Sequence, residues 1–144
     1  MDDRIEIWQV LHDGEITVVR QDGKHLTIFV SIPYVRERIA ALGDSVVLHL
    51  YGLSKFELLD SSGNVQSNDP VSLSEEGYEI LSTTSDTLPV TVKLSMGSMR
   101  LEFERIEVAL DTGATVAISV IADAHDSYWR EFEANVAALK SEKR

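Results

Sequence analysis

The stretch Glu15–Ile32, EITVVRQDGKHLTIFVSI, decides the fold prediction, because apolar and polar side chains alternate along both of its halves. A period of two is typical of β-strands that bury one face. Asp22 and Gly23 separate the halves, and this pair favours a type I′ hairpin turn because glycine accepts a positive φ. In the second half, one face consists of Leu26, Ile28, Val30 and Ile32. The stretch therefore predicts an antiparallel hairpin.

The segments on either side of this hairpin have different patterns. Residues 5–11 also alternate, which predicts a first strand and makes the opening a meander of about three strands. After Pro33 the apolar spacing becomes helical. This change predicts a short helix near 34–42, in which Arg36 faces water.

The rest of the chain is predicted to continue as strands and to end in a helix. The irregular segment 60–77 predicts a long surface loop that is either functional or flexible. In the predicted strand 100–110 the apolar phase changes, which predicts a β-bulge near residues 104–105. From Asp123, a plausible N-cap, helical spacing predicts an amphipathic helix near 124–140. The remaining strands are predicted at 45–51, 55–59, 78–82, 90–96 and 114–121.

These elements predict an α+β architecture in a single domain, residues 1–144. About nine strands with mostly short connections imply antiparallel neighbours, so we expect a curved antiparallel sheet or barrel packed by the last helix. A length of 144 residues suits one hydrophobic core rather than two. A small-ligand barrel would follow from this fold by analogy alone.

Charge and composition narrow the classes of function. Thirteen lysines and arginines stand against 24 aspartates and glutamates, which gives a net charge of −11. Because nucleic-acid affinity depends mainly on neutralising phosphates, this charge predicts no nucleic-acid partner and no docking on an anionic membrane. A basic protein partner would be attracted. The chain has no cysteine, which excludes disulfides and thiolate chemistry, and no apolar run of about 18 residues that could span a membrane. We therefore expect a soluble cytoplasmic protein.

The sharpest enzymatic motif is Asp111-Thr112-Gly113, which follows the apolar run 108–110. It resembles the Asp-Thr-Gly active-site segment of retroviral-type aspartic proteases. The resemblance implies that Asp111 is a catalytic carboxylate and that a homodimer supplies a second one, with one proton shared between them. Those enzymes need a flap and further strands after the motif, whereas only residues 114–144 follow here and about half of them have a helical pattern. The alternative interpretation is that Asp and Gly close a hairpin between two apolar strands.

A second motif, Leu11-His12-Asp13-Gly14, ends the predicted first strand. Together with the alternating strands and the Asp-Gly turn after it, the motif resembles small β-rich bacterial proteins whose first strand ends in Leu/Phe-His-Asp-Gly/Ala. The resemblance covers about the first 30 residues. These proteins are largely uncharacterised and some are immunity proteins of toxin systems, so the resemblance implies an immunity-type binding role. In a strand, the adjacent His12 and Asp13 would point to opposite faces and could not form a catalytic pair.

The other candidate residues predict a binding surface rather than a catalytic centre. The four histidines are dispersed without metal-ligand spacing, so no metal site is predicted, and no glycine-rich phosphate or dinucleotide motif predicts a cofactor. The candidate interface residues combine three carboxylates with an aromatic ring beside the apolar stripe of the last helix: Glu102, Glu104, Glu107 and Trp129.

Two hypotheses of function follow. The sequence favours a small acidic protein-binding module, of an immunity or inhibitor type, with a basic protein as its partner. The alternative is a dimeric aspartic-type hydrolase that uses Asp111, or a hydrolase that uses the carboxylates around it. The identity of a partner and the oligomeric state are left open by the sequence.

Overall fold

The structure, a computed structural model, describes residues 2–142, and the side chains of residues 2–140. Within these residues the chain forms three α-helices, ten strands and one 3₁₀ helix. In chain order they are α1 (Asp3–Val10), β1 (Glu15–Asp22), β2 (His25–Ser31), α2 (Pro33–Arg36), β3 (Ser45–Tyr51), β4 (Lys55–Leu59), β5 (Val65–Ser67), the 3₁₀ helix (Pro70–Ser74), β6 (Ile80–Thr83), β7 (Val90–Leu94), β8 (Ser98–Glu102), β9 (Arg105–Leu110), β10 (Thr115–Val116) and α3 (Ile118–Glu142).

The strands form two five-stranded sheets in which all neighbours are antiparallel. The first sheet has the order β1-β2-β3-β9-β10, and the second has the order β5-β4-β8-β7-β6. The predicted α+β class and the mostly antiparallel pairing are confirmed. The strands of the described part of the chain do not close into a barrel.

Both sheets, α1 and the beginning of α3 contribute to one hydrophobic core. The predicted hairpin of β1 and β2 is present, but its turn consists of Gly23 and Lys24 rather than Asp22 and Gly23, because Asp22 pairs with His25. Its inward residues Leu26, Ile28 and Val30 are fully buried. The opposite face of the first sheet carries mostly exposed and half-buried side chains, although Val47 and Ala109 on it are buried, and most of the polar side chains discussed below lie on this open face.

The predicted first strand is wrong, because residues 3–10 form α1. Asp2 caps this helix by accepting a hydrogen bond from the backbone amide of Arg4. Ile5, Ile7 and Trp8 are all buried, although they point in different directions around the helix. When a helix is buried on several sides, its apolar residues no longer recur with a period of 3.6. A short apolar pattern of this kind cannot be distinguished from that of a strand.

The change of apolar phase near residues 104–105 comes from a passage between the two sheets and not from the predicted β-bulge. The chain leaves the second sheet at the end of β8 and enters the first sheet at the beginning of β9, with Phe103 and Glu104 between them. The apolar phase changes because the two strands belong to different sheets. No single strand crosses this point.

Two helices and one loop also differ from the predictions. The helix after Pro33 has a single turn, and α3 begins at Ile118, so the predicted strand 114–121 is reduced to β10 and Asp123 lies inside the helix rather than at its N-cap. The segment 60–77 contains β5 and the 3₁₀ helix, and Leu73 is fully buried there. This segment is therefore partly core and is not a simple surface loop. None of the described helices is both long and apolar enough to cross a membrane.

Candidate functional site

The open face of the first sheet carries a row of polar side chains that crosses four strands. Arg20 pairs with Thr27, Thr27 with His49, and His49 with Glu107, so these residues are directly opposite one another on β1, β2, β3 and β9. Cross-strand partners on one face have Cβ atoms about 5 Å apart, which is close enough for their side chains to interact. The row brings together an arginine, a hydroxyl, an imidazole and a carboxylate.

The histidines His25 and His49 meet on this face, although they are 24 residues apart in sequence. Nε2 of His25 lies 3.1 Å from Nδ1 of His49, and Oγ1 of Thr27 lies 3.4 Å from each of these two nitrogens. Spacing along the sequence does not predict this pair, because the contact depends on the pairing of β2 with β3. The only sequence signal is that both residues alternate with apolar core residues, which places them on the same face.

Aromatic stacking fixes the ring of His25. The ring of Tyr51 is stacked on it with a centroid distance of 4.6 Å, and the guanidinium of Arg105 lies 4.1 Å from the centroid of Tyr51 on β3. A cation over a tyrosine ring contributes about 0.5–1 kcal/mol at an exposed site. The hydroxyl of Tyr51 is also 3.5 Å from the carboxylate of Glu107. These contacts limit the rotamers of the histidine pair.

The surroundings of His49 favour its neutral form. Partial burial and the neighbouring His25 lower the pKa of His49, while the carboxylate of Glu107 opposes this shift. His49 is therefore held neutral at physiological pH, with a lone pair available on one ring nitrogen.

An apolar strip lies beside the histidines on the same face. Phe29, Val47 and Ala109 are cross-strand neighbours on β2, β3 and β9. Val47 and Ala109 line an open groove of about 340 Å³, and the guanidinium of Arg20 lies 5.5 Å from the ring centroid of Phe29. The groove does not enclose a ligand, but it makes this face partly apolar.

Asp111, the aspartate of the Asp-Thr-Gly motif, pairs with a buried arginine. Arg36 has no exposed side-chain surface, and its Nε donates to Oδ1 of Asp111 at 2.9 Å. The other carboxylate oxygen accepts hydrogen bonds from the backbone amides of Asp44 at 3.0 Å and Ser45 at 3.2 Å. The prediction that Arg36 faces water is wrong, because its side chain is fully buried and bonded to Asp111.

The rest of the Arg36 guanidinium is satisfied by the chain that follows α2. It donates to the carbonyl oxygens of Ala40 and Leu42. A Cβ on Gly43 would collide with the carboxylate of Asp111, and Gly43 has a φ of 107°, so glycine is required there both for space and for conformation. The segment after α2 therefore packs closely against the ion pair of Arg36 and Asp111.

The ionised form of Asp111 is stabilised by these contacts. Partial burial would raise the pKa of Asp111, but the hydrogen bonds from the two backbone amides and from Arg36 outweigh it and hold the pKa below its usual range. A catalytic aspartate pair needs a carboxyl group that shares a proton with another carboxyl group. The contacts of Asp111 instead suit a structural carboxylate that connects β9 to the segment after α2.

The Leu11–Gly14 motif lies in a turn after α1, and there His12 and Asp13 do come together. Nε2 of His12 is 3.3 Å from Oδ1 of Asp13, so the prediction that they point to opposite faces is wrong. Nδ1 of His12 is hydrogen-bonded to the carbonyl oxygen of Leu81 on β6. Both ring nitrogens are thus occupied by structural partners.

The same turn is tied to α2 by Tyr34. Its hydroxyl donates to the carbonyl oxygen of His12 at 2.9 Å. Burial, with the nearby charges of Asp13 and Tyr128, raises the pKa of Tyr34 to about 12, so the hydroxyl stays a donor. A Cβ on Gly14 would collide with Val30 of β2. The motif therefore has an architectural role, joining α1, β2, β6 and α2.

The predicted interface residues fall on three different elements. Glu102 is half-buried on β8 of the second sheet, Glu104 is exposed in the connection to β9, and Glu107 lies on the open face of the first sheet. Trp129 is half-buried on α3, where its Nε1 donates to Nε2 of His125 at 3.1 Å. The three glutamates therefore follow the chain from the second sheet to the first and do not form one acidic face.

The apolar face of α3 continues beyond the part of the helix that contributes to the core. Ile121 and Ala124 are buried and belong to the core, whereas Phe132 is 47% exposed and Leu139 is 57% exposed. The shallow groove beside Phe132 is lined by residues of α3 alone. We call Trp129, Phe132, Val136 and Leu139 the α3 stripe.

No protein-family model, curated protein or solved structure matches the chain.

Proposed function

We propose that the protein is a protein-binding module whose contact surface is the α3 stripe and whose partner presents an apolar groove with a basic rim. The observation that carries the proposal is the exposure of Phe132 and Leu139 on an ordered helix. Large apolar side chains that are exposed in a row along one helix face are typical of a helix that binds in a groove.

The first half of α3 holds the stripe in a fixed direction. Arg38 donates to Ser127 at 3.2 Å and to the carboxylate of Glu131 at 2.6 Å. Tyr128 packs on Tyr34 with a centroid distance of 4.4 Å. Because the helix is anchored at this point, binding through its second half would not have to order a disordered segment.

The spacing of the stripe suits a continuous contact. Its four residues follow one another at intervals of three, four and three residues, so they lie on one side of the helix. Trp129 and Phe132 are also in edge contact, with ring centroids 5.5 Å apart. Aromatic side chains of this kind contribute much of the binding energy at protein interfaces.

Charge supports a basic partner. The carboxylates of Asp126 and Glu133 are exposed and lie one heptad apart beside the stripe, whereas Lys140, a further heptad along, is positively charged. The whole chain has a net charge of −11, which would speed association with a basic surface and discriminate against acidic ones. An inhibitor or immunity-type role belongs to this proposal, since an acidic protein that binds a basic enzyme would cover the surface that meets an anionic substrate.

The double substitution Phe132→Glu with Leu139→Glu is expected to weaken partner binding by at least about tenfold, because it places charge in the centre of the apolar contact. The partner is captured from the native host at low salt, identified by mass spectrometry and titrated against both proteins by calorimetry. Val65→Glu is the matched control, since Val65 is 51% exposed on β5, away from α3.

Three results would count against the proposal. If the double variant binds the partner as tightly as the wild type, the stripe is not the contact surface. If binding is unchanged between low and high salt, the basic rim is wrong. If light scattering shows that the wild type forms a dimer which the double variant abolishes, the occupant of the stripe is a second copy of the chain.

A further inference from the structure

We propose that His25 and His49 form a binding site for a divalent transition-metal ion, such as Zn²⁺, on the open face of the first sheet. The site is independent of the α3 stripe and does not depend on the proposed function.

The three ligand atoms form a triangle of the right size. Its sides are 3.1 Å between Nε2 of His25 and Nδ1 of His49, and 3.4 Å from each nitrogen to Oγ1 of Thr27. From these sides the circumradius is about 1.9 Å, so a point just above the triangle lies about 2.0 Å from all three atoms. This is the Zn–N distance of tetrahedral zinc sites, which is about 2.0–2.1 Å.

The surrounding residues support the two imidazoles. The stacked ring of Tyr51 holds the orientation of His25, and Glu107 lies opposite His49 across β3 and β9. A carboxylate next to a metal-bound histidine stabilises the charge that the ion brings.

The donor set indicates the class of ion. Imidazole nitrogen suits Zn²⁺, Cu²⁺ and Ni²⁺, whereas Mg²⁺ and Ca²⁺ prefer sites made of oxygen atoms alone. In the part of the chain that the structure describes, no three residues among His, Asp and Glu converge to form a closed metal centre. The two histidines and the Thr27 hydroxyl therefore leave at least one coordination position open, and the affinity is expected to be lower than that of a closed four-ligand site.

Calorimetric titration of Zn²⁺ into untagged, chelator-treated protein at neutral pH tests this proposal. One ion is expected to bind per chain. His25→Gln and His49→Gln are each expected to weaken binding by at least about tenfold, since each removes one of the two imidazoles. The matched controls are His12→Gln and His125→Gln, because these histidines are bonded elsewhere, to Leu81 and to Trp129.

A second measurement protects the test against variants that fail to fold. Cu²⁺ bound to the wild type is expected to show two nitrogen ligands by electron paramagnetic resonance. The proposal is overturned if the wild type binds no ion, or if the four variants bind zinc equally. It is also overturned if the copper spectrum shows fewer than two imidazole nitrogens, since the 3.1 Å contact would then be only a hydrogen bond between the two rings.

Discussion

Replacement of Asp111 by asparagine is expected to lower the free energy of unfolding by about 3 kcal/mol at neutral pH. The substitution leaves the fully buried guanidinium of Arg36 without a countercharge. The carboxylate of Asp111 also accepts hydrogen bonds from the backbone amides of Asp44 and Ser45. The side-chain amide of asparagine has only one acceptor oxygen, and its NH₂ group would face another donor. Removing one partner of a buried ion pair costs more than the pair itself contributes, because the remaining charge cannot be hydrated.

Urea unfolding at neutral pH, followed by circular dichroism, measures this loss. Asp60→Asn is the matched control, because Asp60 also accepts two backbone hydrogen bonds, from Ser62 and Asn64, but is exposed and has no arginine partner among the described residues. A catalytic Asp111 would give the opposite result, with activity lost and stability kept. Equal stabilities of the wild type and the Asp111 variant would show that the ion pair has no structural role.

The same pair predicts how stability depends on acid. The pKa of Asp111 is lower in the folded state than in the unfolded chain, where an aspartate has a pKa of about 3.9. Its contribution is therefore complete above the unfolded pKa and is lost as the pH falls through the folded value. The difference between the wild type and Asp111→Asn is expected to shrink progressively below about pH 4.

Replacement of Trp8 by alanine is expected to lower the free energy of unfolding by about 3–5 kcal/mol, the usual cost of removing a large aromatic side chain from a core. Trp8 has no exposed surface, and its Nε1 donates to the carbonyl oxygen of Arg4 within α1. The neighbouring Ile7 is also fully buried, so the cavity left by the indole lies inside the core rather than at its edge.

Thermal and urea unfolding of Trp8→Ala, compared with Trp129→Ala, tests this expectation. Trp129 is the other tryptophan of the chain, and on α3 it is only half-buried, so its removal is expected to cost less. If the two variants lose the same stability, the placement of Trp8 in the core is wrong. If Trp129→Ala also weakens partner binding while Trp8→Ala at a permissive temperature does not, the α3 stripe is supported as the contact surface.

The parts of the fold that the sequence predicted well are those with a clear period. The hairpin of β1 and β2 has one buried face, so local spacing was enough to place both strands. Their register was not predicted, because the turn lies at Gly23-Lys24 and the pairing shifts between Ile16 and Val18. The helical period of residues 124–140 likewise predicted most of α3. Where the period was ambiguous, the prediction failed. Residues 3–10 are buried on several sides, and their pattern fitted a strand as well as the helix that forms.

The candidate sites follow the same division. Trp129 and the apolar residues near it were visible from spacing along a single helix. The pairing of His25 with His49 and of Arg36 with Asp111 was not, because the partners are 24 and 75 residues apart and meet only when β2, β3 and β9 come together. The Asp-Thr-Gly motif looked catalytic in sequence because a turn aspartate and a catalytic aspartate share the same local chemistry.

The sequence by itself determined the α+β class, the β1–β2 hairpin, the amphipathic last helix and the acidic character of the chain. These properties depend on residue type and on spacing within one element, which a linear pattern records. Only the tertiary structure decided the division into two sheets, the helical state of α1, the burial of Arg36 and the meeting of the two histidines. Each of these depends on contacts between residues far apart in the chain, and the free energy of those contacts exceeds the small local preferences that a sequence pattern expresses.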